Sequence, residues 1–169
     1  APVIAAALAR RDVLCVMPTG AGKSHCFQVP ALLDEGVTLV VSPLISLMKD
    51  QVDALTRYGY RATVLNSSID FETRRDRLKR MRAGEYELVY VAPEGLEGSL
   101  RTLLTQVQVS LVVVDEAHCI SEWGHNFRPD YLKLAARARE LGAERVLALT
   151  ATATPTVVAD ICAGFAIAE

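Results

Sequence analysis

At 169 residues the chain has room for one well-buried domain and not for two. A composition of 51% hydrophobic and 22% charged residues excludes a disordered polymer, and no apolar run approaches the length that spans a bilayer. The net charge of −2 and pI near 6.0 exclude the broad cationic face of a stand-alone nucleic-acid module, so any contact with nucleic acid has to be local.

The first eleven residues place apolar side chains before Arg10 and Arg11, the reverse of a secretory signal's charge order. Cys15, Cys26, Cys119 and Cys162 are too scattered for a zinc knuckle or a disulfide framework, and as buried thiols they fit a reducing compartment, the cytosol or nucleus. From there the chain alternates short β-branched runs with longer helical stretches. In order these are a strand from Val13 to Met17, a helix from Gly22 to Leu33, a strand from Val37 to Val41 and a helix from Leu44 to Tyr58. A strand from Ala62 to Leu65, a helix from Asp70 to Ala83, a strand from Leu88 to Val91 and a helix from Gly95 to Leu104 follow. A strand from Leu111 to Val114, a helix from Pro129 to Leu141, a strand from Val146 to Leu149 and a helix from Pro155 to Ala163 complete the series. Nearly continuous apolar strands linked by helical crossovers predict a three-layer α/β fold on a mainly parallel central sheet. Ligands of such sheets collect beyond the carboxyl ends of the strands.

The first strand runs into Met17-Pro18-Thr19-Gly20-Ala21-Gly22-Lys23-Ser24 and then a helix. Thr19, Gly20, Ala21 and Gly22 form a loop whose glycines let successive amides turn toward an anion, at the positive end of the following helix. Lys23 supplies a point charge for the β- and γ-phosphates and Ser24 a hydroxyl for Mg²⁺, a site suited to ATP. The glycine that usually opens this pattern is replaced by Met17.

The strand ending at Val114 delivers Asp115-Glu116-Ala117-His118. Phosphoryl transfer to water needs one acid to hold Mg²⁺ and another to orient and deprotonate the water, tasks that suit Asp115 and Glu116 respectively. Taken alone, an acidic pair at a strand end is also a common cap or solvated turn. His118 is placed to relay between the nucleotide site and Thr150-Ala151-Thr152, where Thr150 and Thr152 could equally be turn caps.

Together these segments resemble superfamily 2 helicases, with the acidic motif as a DEAH box. Cys119-Ile120-Ser121-Glu122-Trp123-Gly124-His125-Asn126-Phe127-Arg128-Pro129-Asp130-Tyr131 is similar to the aromatic-rich loop of the RecQ family. There Trp123 and Phe127 offer faces to bases and Arg128 offers charge, or the two aromatics simply anchor the loop. Ser42 to Gln51 resembles motif Ia, Leu65 to Ser67 the segment after it, Ala92-Pro93-Glu94 motif Ib and Ala148 to Thr154 motif III. Ser46, Lys49 and Asn66 are then candidate contacts to the DNA backbone, or plain surface. The basic run Arg74, Arg75, Arg77, Lys79, Arg80 and Arg82 reads as a solvated helix face.

The resemblance implies a P-loop NTPase of RecA-like fold, the first motor lobe of an ATP-dependent DNA helicase moving 3′ to 5′ on single-stranded DNA and opening duplex junctions. Residues 1–169 are expected to form that one lobe. The family's glutamine motif, second RecA-like lobe with its arginine finger, zinc-binding region and winged helix are not in this sequence. An arginine finger contributes ~10³ to 10⁵ in rate, so this lobe alone is expected to bind nucleotide weakly, hydrolyse almost none and unwind nothing. The rival readings are an RNA helicase or duplex translocase, a non-catalytic nucleic-acid-binding module, and a small P-loop kinase.

Overall fold

The computed structural model describes residues 12–16, 27–28, 30–31, 36–67, 69–96, 98–123, 127–141, 145–151, 154–165 and 167. The phosphate-loop candidates Thr19, Gly20, Ala21, Gly22, Lys23 and Ser24, and also Thr152, lie outside these residues. Residues 27, 28, 30 and 31 are helical, within the helix expected from Gly22 to Leu33.

Six strands form one sheet: β1 (Val13–Val16), β2 (Val37–Val41), β3 (Ala62–Leu65), β4 (Leu88–Val91), β5 (Val109–Val114) and β6 (Val146–Thr150). Their order across the sheet is β1-β6-β5-β2-β4-β3, and every pairing is parallel. Helices α1 (Ile45–Arg57), α2 (Phe71–Arg82), α3 (Gly98–Leu104) and α4 (Asp130–Glu140) supply the crossovers from β2 onward, and α5 (Pro155–Phe165) follows β6. All carboxyl ends of the strands therefore meet on one edge of the sheet.

Both faces of the sheet are covered, which is why its central strands carry no polar alternation. On one face Val40, Leu88, Tyr90, Val113 and Leu149 pack beneath Met48, Val52 and Leu55 of α1, together with Phe27 and Ala31. On the other, Leu39, Val41, Val89, Val112 and Val114 meet residues of α2 to α5, among them Met81, Leu100, Leu134 and Ile161. Leu39, Val41, Val89, Val112 and Val114 are all wholly buried. At roughly 1.5–3 kcal/mol per buried aliphatic side chain, these two layers hold the strand ends in register.

The differences from expectation are local. β5 begins two residues early, at Val109, because Val37 pairs there before a register shift lets Thr38 pair with Leu111. The helix expected from Gly95 to Leu104 is split into a 3-10 turn, Pro93–Leu96, and α3. Pro93 has no amide to give, and the Gly95 amide turns back to Ala92 O at 2.9 Å. α5 runs on to Phe165, where the buried Ile161, Cys162 and Phe165 extend its apolar face. No helix among the described residues is long and apolar enough to cross a membrane.

Candidate functional site

β5 is the organising strand. Its six residues are all buried, and at its exit the amide of Asp115 still donates to Val41 O at 2.9 Å, as if the ladder with β2 continued. The next residue breaks the strand: Glu116 adopts φ 54° and ψ 44°, the only positive φ on a non-glycine among the described residues. A left-handed non-glycine costs on the order of 1–3 kcal/mol and persists only where its surroundings over-determine it.

Those surroundings are visible. The Glu116 amide donates to Asp115 Oδ1 at 3.0 Å, and the Cys119 amide donates to Glu116 O at 3.0 Å. Asp115 O accepts the hydroxyl of Tyr131 at 2.8 Å, from a side chain on α4 with no exposed surface. Burial and the nearby acids hold the Tyr131 phenol far above its ordinary range, so it stays a donor. Cys119, in the 3-10 turn Ala117–Ile120, is pushed up to about 11, chiefly by burial, and is a packing thiol. The turn thus aims two adjacent carboxylates off one strand end in different directions, both half-buried.

His118 is buried, and its Nδ1 lies 2.8 Å from Thr150 Oγ1 and 3.6 Å from Glu116 Oε2. The first is a hydrogen bond; the second is a close approach beyond hydrogen-bond length. Thr150 is wholly buried at the end of β6, opposite Val16 in the register with β1, while Val114 of β5 faces Ala148 on the other side of β6. The chain leaves β1 at Val16 directly into the Met17-to-Ser24 segment. Two strand spacings, about 10 Å, therefore separate the β1 exit from the β5 exit. Thr150, held by His118, stands between them.

Oxygen donors at a strand exit suit Mg²⁺, which keeps several waters and takes only one or two carboxylates plus phosphate oxygens. Asp115 fits that role: its backbone is fixed through both N and O, and its Oδ1 is oriented by the Glu116 amide. Among the described residues no three His, Cys, Asp or Glu side chains gather into a metal cage.

The aromatic loop begins where this turn ends. Ser121 Oγ donates to Asp160 Oδ2 of α5 at 2.6 Å and accepts the Trp123 amide at 3.2 Å. Trp123 itself is 79% exposed, so its ring is no core anchor, whereas Phe127 is half-buried and Arg128 exposed. The Arg128 amide returns to Cys119 O at 2.9 Å, closing the loop on the acidic turn.

Ser46 and Lys49 are exposed on α1, Lys49 in an ion pair with Asp53 at 2.8 Å. That pair is fully solvated and holds Lys49 only weakly. Asn66 differs from a surface contact: it is 6% exposed and its amide donates to Met48 Sδ at 3.6 Å, bracing the β3 exit against α1. Tyr131, Ser121 and Asp160 escaped sequence reasoning. Ser121 and Tyr131 both belong to the motif quoted above, which is their sequence signal, whereas Asp160 has none.

A parallel three-layer sheet with an Asp-Glu-Ala-His turn at a central strand exit defines the class of helicase-type motor lobes. Solved structures share its fold. The helicase domain of Pyrococcus furiosus Hef superposes with a TM-score of 0.74, covering 99% of this chain and 35% of that one at 21% identity. A hypothetical ATP-dependent RNA helicase from Sulfolobus tokodaii gives 0.73, covering 96% and 48% at 20% identity. The family model described as DEAD/DEAH box helicase matches residues 1–161, and the chain belongs to that family.

Among curated relatives, the ATP-dependent DNA helicase RecQ of Bacillus subtilis is 51% identical over 156 residues, 91% of this chain and 26% of that protein. The rat ATP-dependent DNA helicase Q5 is 46% identical over 160 residues, 90% of this chain and 16% of that protein. The chain spans about a third, or less, of the length of the curated relatives it matches.

Proposed function

We propose that this chain is the first RecA-like, ATP-binding lobe of a RecQ-like DNA helicase, a motor that couples ATP hydrolysis to 3′-to-5′ movement on single-stranded DNA and to opening duplex junctions. A second RecA-like lobe completes its active site. The observation that carries the reading is the side-by-side arrangement of the β1, β6 and β5 exits, with the strained Glu116 on β5 and the His118–Thr150 bond between. The sequence likeness to named ATP-dependent DNA helicases over nine-tenths of the chain supports DNA over other substrates.

Magnesium-bound ATP, when present, supplies the transferable phosphoryl group. In the proposed assignment Thr19, Gly20, Ala21 and Gly22 turn their amides to the phosphates, Lys23 neutralises them, and Ser24 and Asp115 hold the metal. Glu116 orients the attacking water and accepts its proton at the carboxylate. His118 joins Glu116 to Thr150, and through it to the segment containing Thr152, so that the state of the acid is felt at the end of β6. Trp123, Phe127 and Arg128 meet single-stranded DNA, with Ser46 and Lys49 along the track and Asn66 fixing its floor.

The test is ATP turnover by the full-length protein with no nucleic acid, with single-stranded DNA and with RNA. Stimulation by DNA is expected. Stimulation by RNA alone would move the reading to an RNA helicase, and no stimulation by either would make it a non-catalytic module.

A further inference from the structure

α2 has a face that neither the core nor the candidate site uses. Six of the chain's 18 Lys and Arg lie in this 12-residue helix against two of its 20 Asp and Glu, so it carries +4 while the other 157 residues carry −6. The six cations divide by what they touch. Arg77 Nη1 donates to Val64 O at 2.7 Å, sealing the edge strand β3, and Arg80 pairs with Glu85 at 3.4 Å over the Tyr86 ring. Arg74 is half-buried. Arg75, Lys79 and Arg82 are exposed, and their side chains make no ion pair or hydrogen bond among the described residues.

These three recur at i, i+4 and i+7, which places them on one face of a helix. Phe71, four residues before Arg75, continues the same stripe and is 76% exposed. Helix stability alone does not account for the pattern. Cations near the last turn are favoured by the helix dipole, but Arg75, in the second turn, gains nothing from it. An exposed phenylalanine gains nothing from water.

α2 is entered from the carboxyl end of β3, so Phe71 lies on the sheet edge that also carries the acidic turn and the aromatic loop. From Phe71 to Arg82 the stripe descends about 16 Å along the outer flank. An aromatic face for a base, followed by cations for successive phosphates, is the chemistry that binds single strands.

We infer that the outer face of α2 binds single-stranded DNA where it leaves the motor track, Phe71 stacking on a base and Arg75, Lys79 and Arg82 neutralising phosphates. The inference rests on the motor reading above. It is tested with the full-length protein and a long labelled oligothymidine, by measuring affinity across a salt series. The triple variant Arg75→Gln, Lys79→Gln, Arg82→Gln should lower the slope of log affinity against log salt by about 2, as three phosphate contacts on a single strand require. Phe71→Ala should weaken binding about fivefold or more with the slope unchanged, because stacking releases no counterions.

All four residues are exposed, and unchanged circular dichroism will show that the variants remain folded. An unaltered slope and affinity in the triple variant would return this face to plain solvation. A loss seen only with blunt duplex would overturn the single-strand assignment. DNA stimulation of wild-type ATP turnover is read separately, so stimulation together with an unaltered slope would sink the α2 surface and leave the motor reading standing.

Discussion

The acidic turn and the aromatic loop are consecutive in sequence and opposite in construction. From Asp115 to Ile120 the backbone is tied to β2, to α4 and to itself, and it holds Glu116 in a conformation that costs energy. From Ser121 onward a single hydroxyl, bonded to Asp160, positions the Trp123 amide, and the indole stands in solvent. Under the proposed function the turn would carry out chemistry on a phosphate, which tolerates little misplacement and calls for side chains held this firmly. The second surface, under the same proposal, would grip and release a passing strand, which suits a loop held at Ser121 with the Trp123 ring exposed.

Substitutions in the full-length protein can break this contrast. The largest effect is expected from Asp115→Asn, which removes the proposed metal ligand: turnover should fall on the order of 10²-fold or more, with an increased Mg²⁺ requirement. An unaltered Mg²⁺ dependence would detach Asp115 from the metal. Next comes Trp123→Ala, which should abolish DNA stimulation while DNA-free turnover stays within about twofold. Its effect on stability should be within about 0.5 kcal/mol, the range for exposed substitutions, as read from denaturant midpoints. Joint loss of basal and stimulated activity would erase the distinction between turn and loop.

Ser121→Ala should reduce DNA stimulation less than the Trp123 change, with stability lowered by about 1.5 kcal/mol for the lost hydrogen bond to a carboxylate. Ser121→Thr should restore stimulation if the hydroxyl positions the loop. The smallest effect is one read in stability rather than turnover: Glu116→Gly, which also removes the proposed general base, relieves the left-handed strain and should raise stability by up to about 1 kcal/mol, part of the relief being offset by glycine's unfolded-state entropy. A destabilised Glu116→Gly protein would mean that the turn is not strained.

The layers of the fold were legible because a strand covered on both faces has to be apolar throughout. Val37 to Val41 and Leu88 to Val91 have the bounds expected of them. The acidic pair and His118 were legible as candidates because their types and spacing match a chemical task, and the structure brings His118 to Thr150 across 32 residues. The left-handed Glu116 was not, since no residue type announces it. Ser121 and Asp160 are 39 residues apart, and a contact of that span leaves no periodic trace in the chain. From sequence the arginine run is one solvated face, whereas in the fold Arg77 and Arg80 engage partners and leave a narrower stripe.

The most direct measurement is nucleotide affinity beside single-turnover hydrolysis in Glu116→Gln of the full-length protein. If Glu116 serves only the attacking water, affinity should stay within a few-fold of wild type while hydrolysis drops ~10² to 10⁴-fold. Equal losses in binding and hydrolysis would contradict that role, and with it the motor assignment of this strand exit.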